Sequence, residues 1–188
     1  MTRLHFVRHG PTHAKAMIGW TDLSADLSDT AAIARLSAHL PRDAALISSD
    51  LSRAITTADA LALPTRPRLP HDPALRELHF GNWEMQTFAQ AEAGDPAHLR
   101  AFWETPGAIR APGGEGWHDI TTRVADALNR LPDHTIVVCH FGAILAAMQC
   151  CLRITAQDAF HHKIDNLSVT ELHKDRSGWQ AVRINHIP

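Results

Sequence analysis

The sequence predicts an α/β fold, a three-layer α/β/α sandwich around a mostly parallel sheet. Short apolar segments typical of buried strands alternate with longer segments of helical spacing. The connections between the first elements are short, as in successive βα units, and the last two strand-like segments are separated only by a turn at residues 174–178. Parallel strands need crossover helices, so helices should cover both faces of the sheet, while the final hairpin adds an antiparallel element.

Each element rests on a local pattern of apolar spacing and on the prolines and glycines that interrupt it. A glycine follows the first strand, Pro41 ends the first helix, and Asp50 is a plausible N-cap of the second helix, which ends before Pro64. The patterns predict strands over residues 2–7, 44–48, 135–139, 167–172 and 179–187, and helices over residues 27–40, 51–62, 84–105 (in two pieces, split at 94–96), 117–131 and 143–152.

The length of 188 residues predicts one domain spanning the whole chain. Four prolines between residues 64 and 73 indicate an extended connection, and residues 105–116 carry the strongest loop signal in the chain. The long excursion over about residues 73–116, between a strand and the next helix, is best explained as a small helical cap inserted over the sheet edge.

Composition narrows the class of protein. With 18 Lys and Arg against 20 Asp and Glu, and 45% hydrophobic residues, the chain is neither disordered nor basic enough to suggest nucleic-acid binding. The first ten residues do not resemble a secretory signal, and the longest apolar run, 136–145, is interrupted and too short to cross a membrane. The three cysteines of the chain are expected to be reduced thiols. We therefore expect a cytoplasmic protein without membrane or nucleic-acid partners, with a small acidic ligand and a homodimer left open.

Unusual polar residues follow three of the predicted strands. They form the segments 8–12 (Arg-His-Gly-Pro-Thr), 49–53 (Ser-Asp-Leu-Ser-Arg) and 140–142 (His-Phe-Gly), and a fourth segment containing Glu77 opens the predicted cap. In open α/β sheets, ligands bind beyond the carboxyl ends of the strands. The sequence therefore predicts a functional site where these segments meet.

The ordered set of these segments resembles the histidine phosphatase superfamily, the clan of phosphoglycerate mutases, fructose-2,6-bisphosphatases and acid phosphatases. The motifs are R-H-G-P-T, S-D-L-S-R-A, E-L-H-F-G-N-W-E, P-G-G-E and V-C-H-F-G, and they span most of the chain. The resemblance implies a phosphoglycerate mutase-like fold and a small phosphate ester as substrate. It implies a phosphate pocket formed by Arg8, His9, Arg53 and His140, with Glu77 as proton donor.

The residue types suit this chemistry. Arg8 and Arg53 stay charged at any relevant pH and offer planar donor pairs to a phosphate dianion, so no metal ion or other cofactor is expected. A neutral His9 is the candidate nucleophile, and His140 is expected to be cationic and to donate to the developing charge. Glu77 is expected to be held protonated by an apolar or anionic setting, ready to protonate the leaving oxygen.

Three further residues complete the predicted phosphate pocket. Thr12 and the backbone at Phe141 are expected to add hydrogen bonds. Lys15 stands where many members of the superfamily have Asn, so it brings a different reach and charge. Thr30 replaces a glycine common in the family, which should change only the start of a helix.

Simpler structural roles remain open for each of the main residues. His9 could be a hydrogen-bonded core histidine, Arg53 could form a surface ion pair with Asp50, and His140 could cap the following helix. Glu77 could be a solvated carboxylate. The remaining histidines do not show the spacing of a metal site, and the chain contains no C-x-x-C motif.

Within the superfamily the sequence favours hydrolysis over phosphoryl transfer, because the segment between Glu77 and Gly113 is short and the chain ends soon after its last strand. The motifs look most similar to the α-ribazole phosphatase branch of cobalamin biosynthesis, although Met85 and Gly116 depart from it. The alternatives are a phosphoglycerate mutase-type transfer and a non-catalytic phosphate-binding module.

Overall fold

A computed structural model describes all residues 1–188 and confirms the α/β fold. Five strands and seven α-helices make up the chain, with 3₁₀ turns at Pro73–Leu75 and Gly81–Trp83. In chain order the elements are β1 (Thr2–Arg8), α1 (Thr30–His39), β2 (Ala45–Ser48), α2 (Ser52–Ala60), α3 (Phe88–Gly94), α4 (Pro96–Glu104), α5 (Trp117–Leu128), β3 (His134–Cys139), α6 (Phe141–Leu152), α7 (Ala156–Phe160), β4 (Val169–Asp175) and β5 (Gly178–His186).

The sheet has the strand order β2-β3-β1-β4-β5. Strand β3 lies between β2 and β1 and pairs with both in parallel, while β4 pairs antiparallel with β1 and with β5. The mostly parallel sheet with a terminal antiparallel hairpin is therefore confirmed. The carboxyl ends of β1, β2 and β3 meet at one edge, which is where the polar segments follow them.

Two hydrophobic clusters cover the two faces of the sheet, as the alternation of side chains along each strand requires. In β3, Ile136 and Val138 belong to the cluster that contains the buried residues of α1 and α2. Val137 and Cys139 face the larger cluster, which contains buried residues of α4, α5, α6 and α7. These two helical layers complete the three-layer sandwich.

The second helix begins differently from the prediction. Asp50 does not cap it; its carboxylate instead binds the Arg76 guanidinium, at 2.7 and 2.6 Å. Leu51 occupies the N-cap position, and the first amide of the helix, that of Ser52, donates to the carboxylate of Asp22 at 2.7 Å. The capping group thus comes from a distant loop. Helix α7 was not predicted at all, because a five-residue helix has too few apolar positions to show a period.

Residues 73–116 contain both 3₁₀ turns and helices α3 and α4, split at Asp95 as the sequence predicts. Their aromatic side chains pack together, with Phe102 in edge-to-face contact with both Trp83 and Trp103. These residues join the same large cluster as β1, so the segment packs onto the sheet's core. None of the helices is both long enough and apolar enough to cross a membrane.

Candidate active site

The structure brings the predicted residues together at the carboxyl edge of the parallel strands. His9 follows β1, Ser49 follows β2 and His140 follows β3. These three side chains converge because β3 lies between β1 and β2 in the sheet. The imidazole centroids of His9 and His140 are 5.0 Å apart. Arg53, in the first turn of α2, fills the space between them.

A cavity of about 220 Å³ opens above these residues. Half of its lining residues are apolar, and the other half include both arginines, His9 and Glu77. The lining residues are Arg8, His9, Thr12, Ala14, Ala16, Ile18, Arg53, Glu77, Phe80 and Phe141. The cavity is smaller than the roughly 300 Å³ at which small-molecule pockets begin, so it can enclose a phosphate group and only the nearest atoms of an ester.

His9 has the geometry of a neutral nucleophile. Its Nδ1 lies 2.6 Å from the carbonyl oxygen of Gly10, which accepts a hydrogen bond from that nitrogen, so the ring proton is on Nδ1 and Nε2 carries the lone pair. Burial and the charge of Arg53 lower the pKa of His9 to about 3. The imidazole is therefore uncharged over the ordinary pH range.

Arg53 is buried and forms the centre of the site. Its Nε–H is shared between Nε2 of His9, at 3.3 Å, and Nδ1 of His140, at 3.2 Å. Its two terminal nitrogens donate to the carbonyl oxygens of Thr21, at 2.9 Å, and Gly19, at 2.6 Å. The surface ion pair with Asp50, considered as a simpler role, is therefore absent: the guanidinium is 1% exposed and faces the imidazoles.

His140 departs from the sequence expectation in its charge. It is fully buried, and burial, with His9 and the Arg53 cation as further causes, holds its pKa well below the usual value. It is therefore neutral rather than cationic. Arg53 donates to Nδ1, so the ring proton lies on Nε2, 2.6 Å from the Ser49 hydroxyl. His140 occupies the N-cap position of α6, but its side chain does not cap that helix.

Arg8 closes the pocket on the side of β1. Its guanidinium donates to the carbonyl oxygen of Ile164 at 2.6 Å and lies 5.7 Å from the ring centroid of Phe141. Its Nε is buried without a hydrogen-bond partner. Burial lowers the pKa of Arg8 from its very high ordinary value, with the carboxylates of Glu77 and Asp165 opposing that effect.

The carboxylate of Glu77 is held by backbone amides, not by the apolar or anionic setting that the sequence led us to expect. Oε1 accepts hydrogen bonds from the amides of Leu78, at 2.8 Å, and Gly142, at 3.0 Å, and Oε2 also lies 3.1 Å from the Gly142 amide. The contacts place the Glu77 carboxylate at the N-terminus of α6, whose first N–H groups have no partner within the helix. The side chain is buried, so it is not a solvated surface carboxylate.

The three remaining predicted residues differ in their placement. Thr12 and Phe141 line the cavity, and Phe141 is the first residue of α6, so its amide is one of those that a helix leaves without an internal partner. Lys15 is exposed and does not line the cavity, although Ala14 and Ala16 on either side of it do. Its role in binding phosphate stays a prediction.

Three side chains around the site were missed by the sequence analysis. Ser49 holds His140, Thr57 accepts from the Gly10 amide at 3.0 Å, and Asn166 donates to the carbonyl oxygen of His9 at 2.7 Å. Ser49 could have been found, since it directly follows β2. Asn166 belongs to the loop before β4, and nothing in the local sequence connects it with His9. No group of three or more His, Cys, Asp or Glu side chains is arranged to hold a metal ion.

Comparison with known proteins identifies the family of the chain. The profile of the histidine phosphatase superfamily (branch 1) matches residues 4–187. The chain belongs to the histidine phosphatase superfamily. The match covers the sheet except for the first two residues of β1, and it includes every residue of the candidate site.

Several members of the superfamily are similar to the chain over most of its length. Glucosyl-3-phosphoglycerate phosphatase of Mycolicibacterium vanbaalenii is 32% identical, over 80% of this chain and 73% of the relative. Metal-independent phosphoserine phosphatase of Arabidopsis thaliana is 31% identical, over 95% and 79%. A probable phosphoglycerate mutase of Proteus mirabilis is 26% identical, over 96% and 89%. The phosphatases above 30% identity indicate that this member of the superfamily is a phosphatase.

The fold is also that of solved members. The crystal structure of the α-ribazole phosphatase from Shigella flexneri superposes with a TM-score of 0.85, covering 99% of this chain and 98% of the other, at 20% identity. This likeness confirms the phosphoglycerate mutase-like fold.

Proposed function

We propose that the protein hydrolyses a small phosphate monoester through a phosphohistidine on His9, with Glu77 as the proton donor and without a metal ion. The observation that carries the proposal is the convergence of a neutral, lone-pair-bearing Nε2 of His9 with the buried Arg53, the half-buried Arg8 and a carboxylate in one cavity. These are the groups that an in-line displacement at phosphorus requires.

In the first step Nε2 of His9 attacks phosphorus and the ester P–O bond breaks. Arg8 and Arg53 bind the equatorial oxygens, and the Phe141 amide supplies a further donor. The leaving oxygen takes a proton from Glu77. In the second step the Glu77 carboxylate accepts a proton from water, the resulting hydroxide attacks phosphorus, and the P–N bond breaks to release inorganic phosphate and regenerate His9.

Glu77 must carry its proton when the ester binds, because the leaving oxygen takes that proton in the first step.

The lining of the cavity supports an ester whose alcohol carries no charge next to the ester oxygen. Apart from His9, its only basic side chains are Arg8 and Arg53, and five of the ten lining residues are Ala, Ile or Phe. A second anionic group on the substrate would have no cation inside the cavity. We propose α-ribazole 5′-phosphate as the first substrate to test, since the motifs resemble that branch, and we propose that residues 73–116 form the cap over its alcohol portion.

Phosphoglycerate mutase activity is the competing proposal, and the 26% identical relative from Proteus mirabilis supports it. A mutase returns the phosphoryl group to its product, so it must hold a phosphorylated sugar acid with a carboxylate near the pocket. Isomer exchange of 3-phosphoglycerate without release of inorganic phosphate would favour it. A non-catalytic phosphate-binding module is less well supported, because all the residues that the chemistry needs are present and converge.

Release of inorganic phosphate in excess EDTA tests the proposal. The panel contains α-ribazole 5′-phosphate, nucleoside monophosphates, sugar phosphates, phosphoserine and 3-phosphoglycerate. We expect release that survives EDTA and a preference of about 100-fold for the favoured ester, equivalent to about 2.7 kcal/mol of discrimination. No release from any ester would overturn phosphatase activity, and even release across the panel would remove the α-ribazole assignment.

Two variants separate the roles in the mechanism. His9→Ala should abolish turnover and the trapping of labelled phosphohistidine while the protein keeps its circular dichroism spectrum. Glu77→Gln should slow alkyl phosphates far more than p-nitrophenyl phosphate, because p-nitrophenolate leaves without a proton. Turnover by His9→Ala, or equal losses on both ester types in Glu77→Gln, would contradict the assigned roles.

A further inference from the structure

The carboxylate of Glu84 is the most heavily hydrogen-bonded acidic group beside the site, and the proposed chemistry gives it no role. Both of its oxygens accept from one loop: the amides of Gly19 at 3.0 Å, Trp20 at 2.8 Å and Thr21 at 3.1 Å, and the Thr21 hydroxyl at 2.7 Å. The Phe80 amide donates to it as well, at 3.0 Å. Glu84 thus joins the loop 19–21 to the segment that begins at Glu77.

The same loop holds Arg53 through its carbonyl groups. The amides of Gly19 and Thr21 face Glu84, while their carbonyl oxygens accept from the two terminal nitrogens of Arg53. A chain of direct contacts therefore runs from the Glu84 carboxylate, through two peptide segments, to the guanidinium whose Nε contacts His9. Burial raises the pKa of Glu84, but the hydrogen bonds from the loop outweigh it and hold the pKa below its usual value, so the group stays charged.

Close packing fixes the position of this loop. A Cβ on Gly19 would lie 2.1 Å from the carbonyl oxygen of Leu78 and 2.4 Å from Oε1 of Glu84, so only glycine fits there. On its other side, Asp22 accepts from the first amide of α2, the helix that carries Arg53. The loop is therefore attached both to Glu84 and to the helix that positions the arginine.

We propose that Glu84 is a positioning residue that sets the position of Arg53 through the carbonyl groups of Gly19 and Thr21. It does not touch the reacting atoms. With the loop held in place, the guanidinium places Nε between the two imidazoles and keeps its remaining surface toward the phosphate. Without the carboxylate, three amides and a hydroxyl of the loop lose their acceptor, as does the Phe80 amide, so the loop shifts and Arg53 moves with it. The inference rests on the proposed phosphatase function.

A double-mutant cycle between Glu84 and Arg53 tests it. In Glu84→Gln the side-chain NH₂ faces backbone amides, and both are hydrogen-bond donors. We therefore expect kcat/KM to fall roughly 10- to 100-fold, which is the effect of displacing a catalytic group by about 1 Å. The loss should be equal for p-nitrophenyl phosphate and for alkyl phosphates, because it concerns the transferring group and not the leaving oxygen. In an Arg53→Lys background the same substitution should change kcat/KM less than twofold.

The matched control is Glu115→Gln. Glu115 is also a partly buried carboxylate that binds a backbone amide of the same segment, that of His79 at 3.0 Å, but it makes no contact with the loop 19–21. The decrease in kcat/KM caused by Glu115→Gln should add to the decrease caused by Arg53→Lys. Glu84→Asp, which keeps the charge but shortens the side chain, gives an intermediate loss and covers the case in which Glu84→Gln does not fold.

Calorimetric binding of inorganic phosphate separates this inference from the proposed function. If the native protein binds phosphate but hydrolyses no ester, the phosphatase proposal fails. The positioning role of Glu84 is still supported in that case if Glu84→Gln binds phosphate more weakly than the native protein and causes no further loss of phosphate affinity in the Arg53→Lys background. Additive effects of Glu84→Gln and Arg53→Lys, or a Glu84→Gln enzyme within twofold of the native rate and phosphate affinity, would overturn it.

Discussion

Acid should unfold the protein steeply, because three histidines are buried in the uncharged state. Burial lowers the pKa of His5 to about 4 and that of His9 to about 3, and it holds the pKa of His140 well below the usual value. Unfolding returns each imidazole to an ordinary pKa of about 6.5, so below that pH the unfolded chain binds more protons. These groups contribute stability fully above about pH 6.5 and lose it as the pH falls toward their folded-state values.

The size of the effect follows from the same values. At pH 5 an unfolded histidine is almost fully protonated, whereas folded His5 and His9 are almost entirely unprotonated, so each contributes about 2 kcal/mol less to the free energy of unfolding than at pH 8. These two groups together lose about 4 kcal/mol, which is large against a typical free energy of unfolding of about 5–15 kcal/mol. Near pH 5 they give a slope of about 2.5 kcal/mol per pH unit, and His140 acts in the same direction.

Urea unfolding at pH 8 and at pH 5 measures how much of the free energy of unfolding is lost between the two pH values, and His5→Leu is the informative variant. His5 lies in β1, away from the cavity, and both of its ring nitrogens are buried without hydrogen-bond partners. Replacing it should reduce the loss of stability between the two pH values by about 2 kcal/mol. The exposed His161→Leu should leave that loss unchanged. A His5→Leu protein with the pH dependence of the native chain would refute the reasoning.

Three substitutions test the packing around the proton donor. A Cβ in Gly142→Ala would lie 2.3 Å from Oε1 of Glu77, so we expect roughly 10- to 100-fold slower hydrolysis of alkyl phosphates, with p-nitrophenyl phosphate less affected. Gly81 has φ +54°, so Gly81→Ala should lower the free energy of unfolding by about 2 kcal/mol or more, measured by urea unfolding. Arg123 binds Glu115 and the carbonyl oxygen of Glu77, so Arg123→Met should cost about 3 kcal/mol in the same assay.

Each of these has a result that would contradict it. Equal losses on both ester types in Gly142→Ala would mean that Glu77 is not the group displaced. A Gly81→Ala chain as stable as the native one would show that the turn can relax into a different backbone conformation. For Arg123→Met, the second substitution Glu115→Gln should recover part of the stability, because it removes the charge left unpaired; no recovery would argue against the ion pair as the cause.

The fold and the residues at the strand ends were predictable because they depend on local patterns and on one geometric rule. Apolar periodicity locates the elements, and the carboxyl ends of parallel strands meet at one edge. His9 and His140 directly follow strands, so their proximity follows from topology alone. Arg53 follows from the same rule, since it lies in the first turn of the helix after β2.

What could not be predicted depends on contacts between distant segments. Asp50 has the sequence position of a helix cap but pairs with Arg76, and its place at the helix is taken by Asp22. His140 is neutral because it is completely buried and lies beside cations, and neither its burial nor these neighbours can be read from the local sequence. Four of the five hydrogen bonds of Glu84 come from a loop more than sixty positions earlier in the chain, where no local pattern marks them.

The segment between β1 and α1 divides into two parts that an engineer could treat separately. Ala14, Ala16 and Ile18 form a wall of the cavity, whereas Gly19 and Thr21 hold Arg53 and are held by Glu84. Substitutions at the three wall positions can therefore change which ester fits without releasing the arginine below. A library confined to these positions should alter substrate choice while the rate of phosphoryl transfer to His9 is preserved, so selectivity could evolve independently of the chemistry.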